Sequence, residues 1–109
     1  MYCHIIQGAD GCRFGRENNI GVIIVDALRA SATSAMLFHQ GATEILAVRD
    51  VEIALQLKRI FPDVLLYGER NGLPPDGFDF GNSPKEAVYA RGKRIVFTTT
   101  TGATLLFEA

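Results

Sequence analysis

An acid and a base, Asp26 and Arg29, stand where the apolar run 22–25 gives way to small and hydroxyl residues in VIIVDALRASAT (22–33). The pairing recurs as Glu69 and Arg70 behind the apolar run 63–68, and a further apolar run, 93–98, passes into the hydroxyl-rich Thr98–Gly102 (TTTTG). Arginines grip oxyanions through two parallel hydrogen bonds, and helix N-termini expected near Ser31, Ser83 and Thr101 offer backbone N–H groups and partial positive charge. A small, highly anionic ligand suits this set. Asp26 and Glu69 have no place against it unless a hard cation such as Mg²⁺ lies between, since carboxylate and phosphate oxygens together suit that ion. Metal-assisted phosphoryl chemistry is the expected consequence.

Each feature also has a plainer explanation. Asp26 suits an N-cap, Glu69 and Arg70 suit a surface ion pair, the threonines suit a strand end, and Asn82, Ser83 and Pro84 suit any helix start. What argues against the plainer set is where the residues fall. Five short apolar runs, CHIIQ (3–7), IGVIIV (20–25), TEILAV (43–48), DVLLYG (63–68) and KRIVFT (93–98), recur along the chain with helical segments between most of them. The last four are rich in Val, Ile and Leu without alternation, as in parallel strands buried on both faces. Helices are expected over 30–40, ending at Gly41, and from Asp50 as N-cap to just before Pro62, with a further start at NSPKEAVYA (82–90). The expected architecture is α/β: a layered α/β/α domain with a mainly parallel sheet. Right-handed crossovers then bring the segments after each strand to one carboxyl edge, where open α/β sheets bind ligands. The stretch ERNGLPPDGFDFGNSP (69–84), rich in glycine and proline, is read as a long functional loop at that edge.

Composition narrows the partners. The chain of 109 residues is 48% hydrophobic and 21% charged, enough for one modest core, and eleven basic against twelve acidic residues leave a net charge of −1. Nothing global favours nucleic acid or an anionic membrane, and no apolar run approaches the ~20 residues of a membrane span. Cys3 and Cys12 form no Cys-x-x-Cys pair, so a reduced, cytoplasmic protein is expected; a zinc site from Cys3, His4 and Cys12 lacks an evident fourth ligand. Familiar phosphate signatures are missing. Ala87 and Arg94 occupy places where a P-loop needs glycine and a hydroxyl, no Gly-x-Gly-x-x-Gly follows a strand, and Leu28 stands where an Asp-x-Asp phosphatase start needs an acid.

Four stretches, in this order, resemble the 2-phosphosulfolactate phosphatase family: VIIVDALRASAT (22–33), GATEILAVRDVEIALQL (41–57), YGERNGLPPDGFDFGNSP (67–84) and GKRIVFTTTTGAT (92–104). The resemblance runs over nearly the whole chain from Ile20 and is most specific in the GER…GFDFGNSP block. It implies a Mg²⁺-dependent phosphatase that converts 2-phospho-3-sulfolactate, or a related small acidic phosphoester, to the alcohol and phosphate. That is an early step of coenzyme M biosynthesis in organisms that make it. By position, Asp26, Arg29 and Ser31 match the first motif, Glu69 and Arg70 the second, Gly81, Asn82 and Ser83 the third, and Thr98–Gly102 the fourth. Asp26 and Glu69 are then expected as catalytic groups and metal ligands. Arg29, Ser31, Arg70, Asn82, Ser83, Thr99, Thr100, Thr101 and Gly102 are expected to bind substrate.

Family members run to about twice this length, the upper end of ordinary domains, so the single domain of residues 1–109 corresponds to their N-terminal half. Half of such a fold leaves a sheet edge and apolar helix faces uncovered, and a homo-oligomer is expected. The alternative to an enzyme is a noncatalytic anion-binding or subunit-forming module, or an inactive fragment of such a phosphatase.

Overall fold

A computed structural model describes residues 1–25 and 29–100. Three short strands, β1 (Glu44–Ala47), β2 (Leu65–Gly68) and β3 (Arg94–Thr98), form a parallel sheet in the order β1–β3–β2. Ile95 pairs with Ile45 on one side and Leu65 on the other, so β3 is central although last in the chain. The helices are α1 (Ala9–Glu17), α2 (Ala30–His39) and α3 (Val51–Ile60), and a 3-10 helix spans Pro84–Ala90.

Alternation along the strands divides the core in two, because successive strand residues face opposite sides of a sheet. Tyr67, Ile95 and Phe97 face α2 and the 3-10 helix and meet Leu37, Ala87 and Ala90; Leu66 and Val96 face α3 and meet Ala54 and Val64. This is the expected α/β/α layering. Tyr67, Phe97 and Leu66 are fully enclosed, each burial stabilising the fold by roughly 1.5–3 kcal/mol. β1 is the thinly covered strand, with Leu46 half exposed.

The helix ends follow local chemistry. Gly41, at φ 99°, closes α2 in a Schellman arrangement: its N–H donates to Phe38 O and the N–H of Ala42 to Leu37 O. Asp50 sits at the N-cap of α3 in an extended conformation, but its carboxylate makes no capping hydrogen bond. α3 ends at Ile60, before Pro62. The segment starting at Pro84 is a 3-10 rather than an α-helix, with Pro84 in its first turn.

One strand expectation fails, that for residues 20–25. Residues 3–7 and 20–25 form no strand, and α1, absent from the sequence reading, lies between them. The outer edge of β2, where an additional strand could pair, is already taken by the long loop. The N–H groups of Asp79 and Phe80 donate to Leu66 O, and that of Gly68 donates to Phe80 O. Residues 20–22 instead turn back on α1, where the N–H of Ile20 donates to Gly15 O and Val22 lies against Gly15. Ile23 and Val25 are left exposed.

Gly68 marks where β2, β3 and the loop approach most closely. A Cβ there would collide with the carbonyl oxygen of Thr98 and stand 3.0 Å from Phe78 Cε2. Gly68→Ala is therefore expected to destabilise the chain by about 1–3 kcal/mol, the usual cost of overpacking, as a lowered urea midpoint at unchanged slope.

Candidate active site at the carboxyl edge of the sheet

The topology delivers the expected convergence. The strands are parallel, so the residues after β1, β2 and β3 and the N-terminal ends of α2, α3 and the 3-10 helix all lie at one edge. At its centre is the carboxylate of Glu69, the residue directly after β2, which is 9% exposed. Its Oε1 accepts the N–H of Thr100 at 2.7 Å; Oε2 accepts the Thr100 hydroxyl at 3.1 Å and the N–H of Gly72 at 3.0 Å. Burial pushes the Glu69 pKa upward. The donors from Thr100 and Gly72, helped by the charge of Arg70, outweigh it and hold the carboxyl below its ordinary value.

Arg70 points into the same framework. Its Nη1 donates to Glu69 O at 2.7 Å, and Nη2 donates to Arg49 O at 2.8 Å and to Thr98 Oγ1 at 2.9 Å. The guanidinium thus ties together the segments that leave all three strands. It does so as a fork across backbone oxygens, the geometry that makes arginine suited to bidentate contacts. The expected surface ion pair between Glu69 and Arg70 is not what forms: the two side chains hold different partners.

The chain between Arg70 and Leu73 makes a tight turn, with reciprocal backbone hydrogen bonds of 2.9 and 3.2 Å. Asn71 and Gly72 both have positive φ, 55° and 82°, which is the type I′ geometry. It presents the Gly72 N–H to Glu69. The Asn-Gly dipeptide signalled this turn, and the reading of 69–84 as an irregular loop passed over it. Glu86 also went unremarked: its Oε2 accepts the N–H of Gly81 at 3.1 Å and so holds the third motif against the 3-10 helix. Beside it the Tyr67 hydroxyl donates to Glu86 O at 2.8 Å, and its pKa is raised to about 12, first by burial and then by the charges of Glu86 and Asp79.

Asn82 is 7% exposed, and its backbone oxygen accepts a 3.4 Å hydrogen bond from the hydroxyl of Thr33 on α2. Its side-chain Oδ1 is buried without a hydrogen-bond partner among the described residues. Ser83 holds the N-cap position of the 3-10 helix and makes no side-chain cap. Arg29, at the N-cap of α2, and Ser31, in its first turn, are exposed. Thr99 is buried. Asp26, Thr101 and Gly102 lie outside the described residues.

The arrangement does not by itself make a Mg²⁺ site. Among the described residues no three His, Cys, Asp or Glu side chains converge, which holds also for Cys3, His4 and Cys12. Both oxygens of Glu69 already carry protein donors. Among the same residues no helix is long and apolar enough to cross a membrane.

The model of the 2-phosphosulpholactate phosphatase family matches residues 12–109, nearly the whole chain. The chain belongs to that family. Similar proteins named "Probable 2-phosphosulfolactate phosphatase" occur in Deinococcus radiodurans, 49% identical over 82 residues (73% of this chain, 34% of the relative), and in Caldicellulosiruptor saccharolyticus, 44% identical over 91 residues (80% and 37%). One from Thermoplasma volcanium is 38% identical over 104 residues, covering 94% of this chain and 49% of the relative. The chain therefore spans between a third and a half of the length of these relatives. The second and fourth 2-phosphosulfolactate phosphatase motifs, about thirty residues apart in sequence, are the parts that Glu69 and Thr100 join.

Because the carboxyl of Glu69 titrates lower when folded than when unfolded, its stabilising contribution is complete above the unfolded value of 4.5 and is lost as the pH falls through the lower folded value. Unfolding free energy is expected to drop below pH 4.5 in the native chain. Glu69→Gln is expected to lose that part of the dependence and about 2 kcal/mol of stability at pH 7, checked by urea titration across pH.

Proposed function

We propose that the carboxyl edge serves hydrolysis of a small, highly anionic phosphomonoester, with 2-phospho-3-sulfolactate as the first candidate, by attack of water on phosphorus to release 3-sulfolactate and phosphate. The observation that carries the reading is the family match over residues 12–109 together with the direct joining of two of its motifs at this edge. Arg29 and Ser31 at the start of α2 supply positive charge and donors toward an oxyanion. Asn82 presents a buried amide group beside the same helix, whose oxygen lacks a protein partner among the described residues. That oxygen is an acceptor; the neutral donors suited to charge developing on phosphoryl oxygens are the Ser31 hydroxyl and the Asn82 amide N–H groups.

A Mg²⁺ requirement belongs to this reading and rests on the family resemblance. The resemblance names Asp26 and Glu69 as its ligands; Asp26 lies outside the described residues, and Glu69 already receives donors from Thr100 and Gly72. The noncatalytic alternative is anion binding without turnover.

Phosphate release from 2-phospho-3-sulfolactate, measured with Mg²⁺ and with chelator, separates the readings. Metal-dependent release that falls at least ~100-fold in Asp26→Asn is expected, the scale of losing a positioned acid–base or ligand group. Full activity in that variant, or in chelator, contradicts the assignment, and binding of sulfolactate or phosphate without turnover establishes the module instead.

A further inference from the structure

Building on the phosphatase reading, we propose that Glu69 is a positioning residue that acts through Thr100, setting the turn after β3 on which the fourth motif continues, and that it neither ligates metal nor touches substrate. Three observations carry this. First, Glu69 is buried, and each of its carboxylate oxygens is already met by the protein at 2.7–3.1 Å. Oε2 has both of its lone pairs engaged, so only the second lone pair of Oε1 could meet a cation without displacing Thr100 or Gly72. Second, Thr100 gives Glu69 both its amide and its hydroxyl, so neither donor of that residue remains for a ligand. Third, the backbone of Glu69 continues the ladder to the residue that ends β3, its N–H donating to Thr98 O at 3.1 Å, while Arg70 holds the Thr98 hydroxyl.

Thr98 and Thr100 are thereby fixed from one side by residues 69–70. Thr101 and Gly102 follow directly in sequence. A donor array that is fixed before substrate arrives needs no reorganisation as charge develops, which is the physical value of such an anchor. Glu69 and Arg70 thus form the base on which Thr98 and Thr100 leave β3.

The test follows backbone amide resonances of the full chain, and of Glu69→Gln and Glu69→Ala, while Mg²⁺ alone is added, with steady-state phosphate release measured beside it. In the native chain the Thr100 and Gly72 amides are expected downfield, as charge-assisted donors, and unmoved by Mg²⁺. Both are expected to move upfield in Glu69→Ala, less so in Glu69→Gln, whose amide oxygen can still accept one of them. The variants are expected to keep the native Mg²⁺ midpoint and KM while kcat falls about tenfold or more, the signature of a group that acts only in the transition state. Displacement of the two amides by Mg²⁺, or a tenfold weaker Mg²⁺ midpoint in Glu69→Gln, overturns the proposal and makes Glu69 a ligand. Absence of phosphate release from the native chain overturns the phosphatase reading, and the Mg²⁺ response of the two amides then decides the role of Glu69 separately.

Discussion

A carboxylate carried out of water at the end of a buried strand has to be matched by donors, and the carboxyl edge is arranged around that requirement at Glu69. Isolated, such a group would neutralise itself by taking up a proton. The three donors from Thr100 and Gly72 keep it ionised and, in doing so, fix two turns relative to each other. Gly68, one residue earlier, allows the close approach of β2 and β3 that brings Thr100 within reach. Arg70, one residue later, fastens the ends of all three strands through carbonyl oxygens and Thr98. Three consecutive residues thus connect the sheet to the loops that carry the family's motifs.

The fold was legible where burial and local chemistry agree. The runs that became β1, β2 and β3 are apolar on both faces because α2 and the 3-10 helix cover one side and α3 the other. Gly41 and Pro62 marked helix ends by backbone geometry alone. The run 20–25 has equal apolar character, yet character alone does not supply an edge to pair with. The hydrogen bonds of Asp79 and Phe80 to Leu66 close the outer edge of β2, and residues 20–22 turn back on α1. α1 was missed because its sequence, ADGCRFGRE, contains two glycines and little apolar surface; its contacts are with the neighbouring segments around Ile6, Ile20 and Val22.

For the site, position was easier to read than role. Parallel topology is enough to send Glu69, Arg70, Thr98 and Thr100 to one edge, and they are there, joined. An acid and a base side by side in sequence suggested ligand chemistry or an ion pair. Which atoms each would hold depends on the turn at Asn71–Gly72 and on the pairing of β2 with β3 to within one residue. Neither is visible in residue type. Asn82 is the contrasting case: its backbone is fixed by Thr33 while its side-chain oxygen, among the described residues, stays unmatched.

That Glu69 and Thr100 work as one unit is the claim on which the rest turns, and a double-mutant cycle of Glu69→Gln and Thr100→Val, read by urea unfolding at pH 7, tests it most directly. Residues that share a buried network couple by about 1 kcal/mol or more, and such a coupling is the expected result. Additive losses, agreeing within about 0.5 kcal/mol, would contradict it and leave the two motifs as neighbours without a common function.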